Sequence, residues 1–279
     1  MPDLMIGKTI LMTGCSSGIG YAAAHGLRNR GWRVFAACRQ QADCDRLIAE
    51  GFDSPLLDYT DTASIHAALS LVLKATGGTL DALYNNGTHG TPGAVEDLPT
   101  DALRAIFESN FFGWHELTRA VLPVMRAQGY GRIVQCSSVL GLVTMPWRGA
   151  YNATKFALEG LTDTMRIEMR DTPIKIILIE PGPVTSKIRV NSIPHFERWI
   201  KWETSPRKTQ YETVLRKRLY ESRGPDAFEL PPEAVVRKLI NALESPRPRP
   251  RYYVTTPTYI SGILRRILPT RALDWVLAR

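Results

Sequence analysis

The chain has 279 residues, 44% of them hydrophobic and 22% charged, which suits one large α/β domain whose core needs neither disulfides nor metal. Its four cysteines, Cys15, Cys38, Cys44 and Cys136, make no CxxC pair, so no metal site or disulfide framework is expected and a reducing, cytoplasmic setting is. The net charge of +8 sits wholly in residues 201–279, which hold 16 Lys or Arg against 8 Asp or Glu, while residues 1–200 hold 19 of each.

In chain order, Lys8–Gly14 reads as a buried strand ending in a glycine turn, Tyr21–Asn29 as a helix and Arg33–Arg39 as a second strand. Ser54–Asp58 reads as a short third strand, Ala63–Ala75 as a helix and Leu80–Asn86 as a fourth strand. Asp101–Met125 is expected as one long amphipathic helix, Gly131–Ser138 as a fifth strand, Tyr151–Met169 as a second long helix and Ile174–Gly182 as a sixth strand. Alternation of short strands with helices predicts a doubly wound parallel sheet of Rossmann type. Thr185–Gly224 is polar, aromatic-rich and without strand alternation. Pro231–Leu243 starts with proline and reads as a helix, Ser245–Arg251 as a stiff connector and Arg251–Thr256 as an edge strand. Tyr259–Arg279 reads as an amphipathic helix interrupted by Pro269. One domain over residues 1–256, with a substrate lid at about 186–224, and a basic extension over 257–279 are expected. No signal peptide is expected, and the stretches Ile6–Met12 and Ile174–Ile179 are strand-length.

TGCSSGIG (Thr13–Gly20) joins a strand to a helix. Such a turn, here with Gly14, Ser16, Ser17, Gly18, Ile19 and Gly20, lets backbone approach a pyrophosphate while the helix N-terminus offers free N–H groups. The spacing is not GxGxxG. About 20 residues on, where an acidic residue would accept from the ribose 2′-OH of NAD, the chain has Cys38 and Arg39. A guanidinium suits a 2′-phosphate, so NADPH is the expected cofactor.

YNATK sets Tyr151 and Lys155 four residues apart, on one face of a helix. An ammonium beside the phenol lowers its proton affinity, which fits Tyr151 to protonate a carbonyl oxygen or deprotonate an alcohol. Ser138 closes the fifth strand, where a hydroxyl can stabilise charge growing on the substrate oxygen. NNG (Asn85–Gly87) ends the fourth strand beside the same crevice, and Asn110 lies in the following helix.

With these motifs in this order, together with Asp58 and the Pro181–Gly182 pair, the chain resembles a classical short-chain dehydrogenase/reductase over roughly residues 7–190. The resemblance implies a tetrad of Asn110, Ser138, Tyr151 and Lys155, with Lys155 also on the nicotinamide ribose and Asn110 supporting a water relay. It further implies that Asp58 contacts the adenine, that Asn85, Asn86 and Gly87 shape the adenosine side, and that Pro181, Gly182, Val184 and Ser186 hold the nicotinamide end. Two departures stand out: NNGTHG replaces the usual NNAG, which brings His89 toward the crevice, and Ser186 stands where the family has threonine, with Thr185 able to substitute. WRGAY (Trp147–Tyr151) and the segment after Gly182 are similar to a subgroup acting on steroids, retinoids or medium-chain aldehydes, including bacterial aldehyde reductases.

Met145 and Trp147 are expected to wall the substrate pocket, with His89, Phe196 and Trp199 facing it from the loop and lid. The alternative for the aromatic segment is a helix that simply covers the core. The carbonyl or alcohol substrate is then bulky or lipophilic. Competing functions are a 3-oxoacyl-thioester reductase docking an acidic carrier, a hydroxysteroid or retinol dehydrogenase, and a dinucleotide sensor, which an intact tetrad disfavours. A homo-oligomer, dimer or tetramer, is implied by the resemblance; no nucleic-acid motif accompanies the basic tail. That tail is left three destinations: the protein body, a second protomer, or a membrane surface.

Overall fold

The computed structural model describes residues 7–221 and 224–278. Six parallel strands, β1 (Thr9–Met12), β2 (Arg33–Ala36), β3 (Ala82–Asn85), β4 (Gly131–Cys136), β5 (Ile174–Glu180) and β6 (Arg251–Tyr253), form one sheet in the order β2-β1-β3-β4-β5-β6. β1 and β3 are buried throughout, as are six of the seven residues of β5, because helices cover both faces of the sheet. The helices are α1 (Gly18–Arg28), α2 (Gln41–Ala49), α3 (Thr62–Thr76), α4 (Thr100–Phe107), α5 (Gly113–Gln128), α6 (Gly149–Glu168), α7 (Ile188–Trp199), α8 (Lys208–Gln210), α9 (Arg216–Tyr220), α10 (Glu233–Glu244), α11 (Thr256–Ile267) and α12 (Thr270–Leu277). α1 packs against α10 on one face, and α3 against α5 and α4 against α6 on the other. Between β1 and β3 the winding reverses direction, which opens a crevice beyond the carboxyl ends of the central strands. The doubly wound sheet expected from the sequence is therefore present.

Four local differences have physical causes. Ser54–Asp58 is not a strand: only isolated bridges, Phe35 with Asp53 and Cys38 with Leu56, tie this segment to the β2 side, and Pro55 lacks the N–H a ladder needs. α2 was not expected; its apolar contribution is short, with only Cys44 and Leu47 buried. The long helix expected over Asp101–Met125 is broken into α4 and α5 by a π-turn at Glu108–Phe112. The second strand ends at Ala36, although Ala37 still accepts from the Cys15 N–H at 3.2 Å. The final helix breaks at Pro269 as expected, and Arg279 lies outside the described residues, as do Arg223 and Ser222.

Besides the main core, Phe196, Ile200, Tyr211, Leu215 and Leu219 form a separate small core with Ala94, on which Trp147, Trp199 and Trp202 pack. The segment after β5 is thus a helical cap with its own hydrophobic interior.

Arg251 joins the edge strand to the body. Its guanidinium bonds Glu159 of α6, Glu180 of β5 at 2.6 Å and Asp163 at 2.6 Å. Glu180 is fully buried and Glu159 nearly so. Burial pushes both carboxyls up, and Arg251 opposes that. A raised carboxyl favours folding at low pH and loses that contribution as pH rises through the folded value. Arg251→Met removes the countercharge, so unfolding free energy should drop by about 3–5 kcal/mol near pH 8. Near pH 5 (roughly), where the carboxyls take up protons, the loss should be clearly smaller. Urea unfolding of both proteins at the two pH values measures it; an equal loss at both contradicts this reading.

Candidate active site

The strand-to-helix turn after β1 is built from backbone that side chains would obstruct. Gly14 has φ +66°, and a Cβ there would lie 2.5 Å from the Gly87 Cα. A Cβ on Gly20 would collide with the Gly14 carbonyl oxygen. Ser17 precedes α1 in extended conformation with no side-chain cap, and no acidic residue occupies the first turn, so the helix N-terminus offers its N–H groups outward. Ser16 and Ile19 are half-buried in the same turn. This cradle fits a dinucleotide pyrophosphate.

Neighbouring loops are locked to it. Thr13 Oγ1 accepts from the Asn86 N–H (2.9 Å) and the Gly87 N–H (3.2 Å) and shares a 2.7 Å bond with Tyr59. Asn86 Nδ2 donates to the Thr13 carbonyl at 3.1 Å. The Asn85 amide is fully buried, accepting from Tyr59 and donating to Thr118 and Gln135, so its side chain braces the sheet beneath that loop. Asp58 Oδ1 accepts from the N–H and hydroxyl of Thr60 at 2.9 Å. Arg39 is exposed past β2 with no ion-pair partner among the described residues. On the other side of the crevice, Thr185 is spent on Glu229 (2.6 Å). Ser186 instead lies against the glycine turn, its Cβ 3.3 Å from where a Gly18 Cβ would be. The Val139 N–H donates to the Pro181 carbonyl (2.8 Å), Gly182 abuts Thr255, and Val184 bridges Leu230. These contacts tie the segment after β5 to the neighbouring chain.

Ser138 follows β4 and caps a short turn, accepting from the Leu140 N–H at 3.1 Å. Tyr151 and Lys155 project from the first two turns of α6 and are buried, Lys155 completely. Lys155 Nζ donates to the Cys136 carbonyl (2.8 Å), lies 4.2 Å from the centre of the Trp114 ring and 5.5 Å from that of Tyr151. Burial pushes the ammonium down to about 8, opposed by Cys136 and by Glu159 one turn on. Burial and Cys136 push the Tyr151 phenol up, opposed by the Ser138 hydroxyl and the Arg148 charge. Ser138, Tyr151 and Lys155 are thus gathered at the carboxyl end of β4, with the phenol still fully protonated.

Asn110 sits in the π-turn. Its Nδ2 donates to the His89 carbonyl (2.8 Å) and its Oδ1 accepts from the His89 N–H (3.2 Å), so it clamps the unusual NNGTHG loop. The His89 ring bonds Ser109 (3.1 Å) and stacks on His195 of α7 with centroids 3.7 Å apart. Burial, then His195 and Arg39, push the His89 imidazole down to about 3, so the stack is uncharged at neutral pH. The stacking of His195 from the segment after Gly182 on His89 was not expected; nothing in its spacing points to a partner a hundred residues away.

The aromatic candidates divide. Phe196 is 1% exposed inside the cap's own core, so it is corrected from a substrate contact to a packing residue. Trp199 packs on that core from outside, with Arg198 over its ring at 4.6 Å. Trp147 has φ +65° and its ring meets Tyr211 at 4.9 Å. Tyr211 in turn donates to Asp97 (2.8 Å) and accepts from the Ala94 N–H (2.9 Å). Met145 is 49% exposed and lines an apolar groove with Trp147. Tyr211, Trp114 and Arg251 are structural partners of the site that carry no motif of their own.

Residues 8–195 match the family model described as short chain dehydrogenase. Over 270 residues the chain is 38% identical to "Uncharacterized oxidoreductase YbbO" of Escherichia coli (strain K12), covering 97% of this chain and 94% of that one. It is 32% identical over 256 residues to "Retinol dehydrogenase 8" of Homo sapiens, covering 86% and 79%. Among solved structures, a short chain dehydrogenase/reductase from Burkholderia phymatum in complex with NAD superimposes with TM-score 0.78 at 25% identity, covering 99% of this chain and 96% of that one. Sheet, glycine cradle and these similarities agree: the chain belongs to the short-chain dehydrogenase family of oxidoreductases.

Proposed function

We propose that the protein is an NADPH-dependent oxidoreductase that interconverts a lipophilic aldehyde or ketone and its alcohol, with Tyr151 as acid and base. The observation that carries this reading is the grouping of half-buried Ser138 with buried Tyr151 and Lys155 at the end of β4, beside an unobstructed glycine cradle. Bound nicotinamide supplies or accepts the hydride. In reduction, Tyr151 gives its proton to the carbonyl oxygen while the Ser138 hydroxyl donates to the same oxygen as charge develops there. Lys155 holds a positive charge over the phenol and turns its free N–H groups toward the cofactor ribose. Asn110 fixes the loop between Asn85 and Gly90 that borders the reaction space. Cofactor-contacting residues are proposed at the glycine turn, Arg39, Asp58, Asn86, Gly87 and the Pro181–Ser186 segment.

Arg39, exposed and without a carboxylate partner among the described residues, supports NADPH; the related Burkholderia phymatum structure holds NAD, so the preference is a real choice between the two. The half-exposed Met145, the Trp147–Tyr211 pair and the retinol named in a relative support a lipophilic substrate under a lid at about residues 186–224. Phe112 and Leu161, partly exposed near the start of α5 and on α6, support a homo-oligomer, dimer or tetramer. No described helix is long and apolar enough to cross a membrane.

Initial rates with a panel of carbonyl compounds should favour NADPH over NADH and aliphatic aldehydes over sugars. Arg39→Ala should weaken NADPH about 10- to 100-fold and leave NADH nearly unchanged, as expected for one or two charge-assisted bonds. A native preference for NADH, or turnover confined to sugars, contradicts the reading. Because burial lowers Lys155 to about 8, its ammonium is lost as pH rises through that value. NADPH affinity, followed by fluorescence, should therefore fall above about pH 8, and Lys155→Met should flatten that dependence.

A further inference from the structure

Three arginines meet where α6 begins, and a single carboxylate is bonded to them among the described residues. The first, Arg148, directly precedes α6, three positions before Tyr151. Its backbone is fixed on both sides: the Asn152 N–H donates to its carbonyl at 2.8 Å, and Gly93 pairs with it as an isolated bridge. Arg148 is half-buried, and its guanidinium has no bonded partner among the described residues. Trp147, one position earlier, packs on the cap's core, so the loop sets an apolar and a charged group side by side.

The other two, Arg189 of α7 and Arg218 of α9, come from the cap. Both are half-buried, and both donate to one oxygen, Asp226 Oδ2, at 3.3 and 2.8 Å. The next carboxylate, Glu229, accepts from the Thr185 hydroxyl (2.6 Å) and the Asp226 N–H (2.8 Å). The three charges are near enough to act on one another: burial, then Arg218 and Arg189, push the Arg148 guanidinium down to about 10, opposed by Asp226 and Tyr151. Arg148 acts in turn on the Tyr151 phenol. Three crowded guanidinium groups sharing one carboxylate, one of them half-buried and unbonded, are a costly arrangement unless an anion joins them.

We infer that the substrate carries an oxyanion, a carboxylate or phosphate, that Arg148 binds while the carbonyl group faces Tyr151, with Arg189 and Arg218 adding their charge from the cap. This rests on the function proposed above and narrows its substrate to a lipophilic body with a charged end. A guanidinium fork matches a carboxylate or phosphate with two parallel bonds. The cofactor's own pyrophosphate fits Arg148 less well. Its cradle follows β1, whereas Arg148 precedes the helix that follows β4, and β3 lies between the two strands. Two strand spacings are roughly 10 Å. The neighbours of Arg148 are instead Tyr151 and the cap, the two walls of the reaction space.

The test compares straight-chain aldehydes ending in a carboxylate or a phosphate with the neutral aldehyde of each length, at saturating NADPH. The native chain should favour one anionic series by at least about 10-fold in kcat/KM, chiefly through KM. In Arg148→Gln that preference should fall about 10- to 100-fold, as for one or two charge-assisted bonds, and Arg148→Lys should recover part of it. Any effect passed through Tyr151 slows both kinds of aldehyde alike and cancels in the ratio. Asp226→Asn, which frees Arg189 and Arg218 of their carboxylate, should strengthen the preference; an unchanged or weaker one overturns the share given to the cap arginines. Equal turnover of anionic and neutral aldehydes by the native chain, or an undiminished preference in Arg148→Gln, overturns the inference. An Arg148→Gln protein that binds NADPH markedly more weakly while keeping the preference gives the guanidinium to the cofactor and overturns it as well. If no carbonyl compound is reduced at all, the proposed function fails, and calorimetry with octanoate and octyl phosphate still judges the anion site. One of the two should bind the native chain and lose affinity in Arg148→Gln; binding of neither, or equal binding by both proteins, overturns the site.

Discussion

A buried ammonium organises this protein. Lys155 is fully buried with no carboxylate bonded to it among the described residues, an arrangement that would cost several kcal/mol if the charge were left bare. The fold offsets that cost in three ways: the Cys136 carbonyl at the end of β4, the face of Trp114 from α5, and the field of Glu159 one helical turn away. Each comes from a different element, so the charge is secure only when β4, α5 and α6 are correctly docked. Site assembly and core assembly are thereby one event.

The same logic runs outward. Glu159 is buried beside Glu180, and the two are kept by Arg251 from the edge strand. Glu180 directly precedes Pro181, and Glu159 is four residues past Lys155. An arginine at the sheet's edge therefore supports both the lysine and the segment that crosses the glycine turn. On the opposite flank, Asn110 and His195 hold His89, linking the π-turn, the reshaped loop and the cap. The cap and the C-terminal helices are in this sense fastened to the catalytic end of the sheet from two sides.

What the sequence made legible follows from how local the signals are. β1, β4 and β5 announce themselves as apolar runs because both faces are buried, and the glycine turn because its backbone excludes side chains. Tyr151 and Lys155 are readable because helix periodicity puts them on one face and Ser138 ends a strand. The π-turn at Glu108–Phe112 is illegible, since one extra residue barely alters an amphipathic pattern. Phe196 was assigned by aromatic character and proves to be spent in packing. The Arg251 cluster joins residues 71 to 92 positions apart, and the histidine stack spans a comparable distance, so neither leaves a local trace.

The central claim is that the gathered residues form a proton-transfer site serving hydride transfer. Single-turnover oxidation of bound NADPH in the presence of an aliphatic aldehyde, compared between the native chain and Tyr151→Phe, tests it most directly. The account predicts that removing one hydroxyl lowers the rate by at least about 1,000-fold, with NADPH binding unchanged. A Tyr151→Phe protein that oxidises NADPH at the native rate would contradict it.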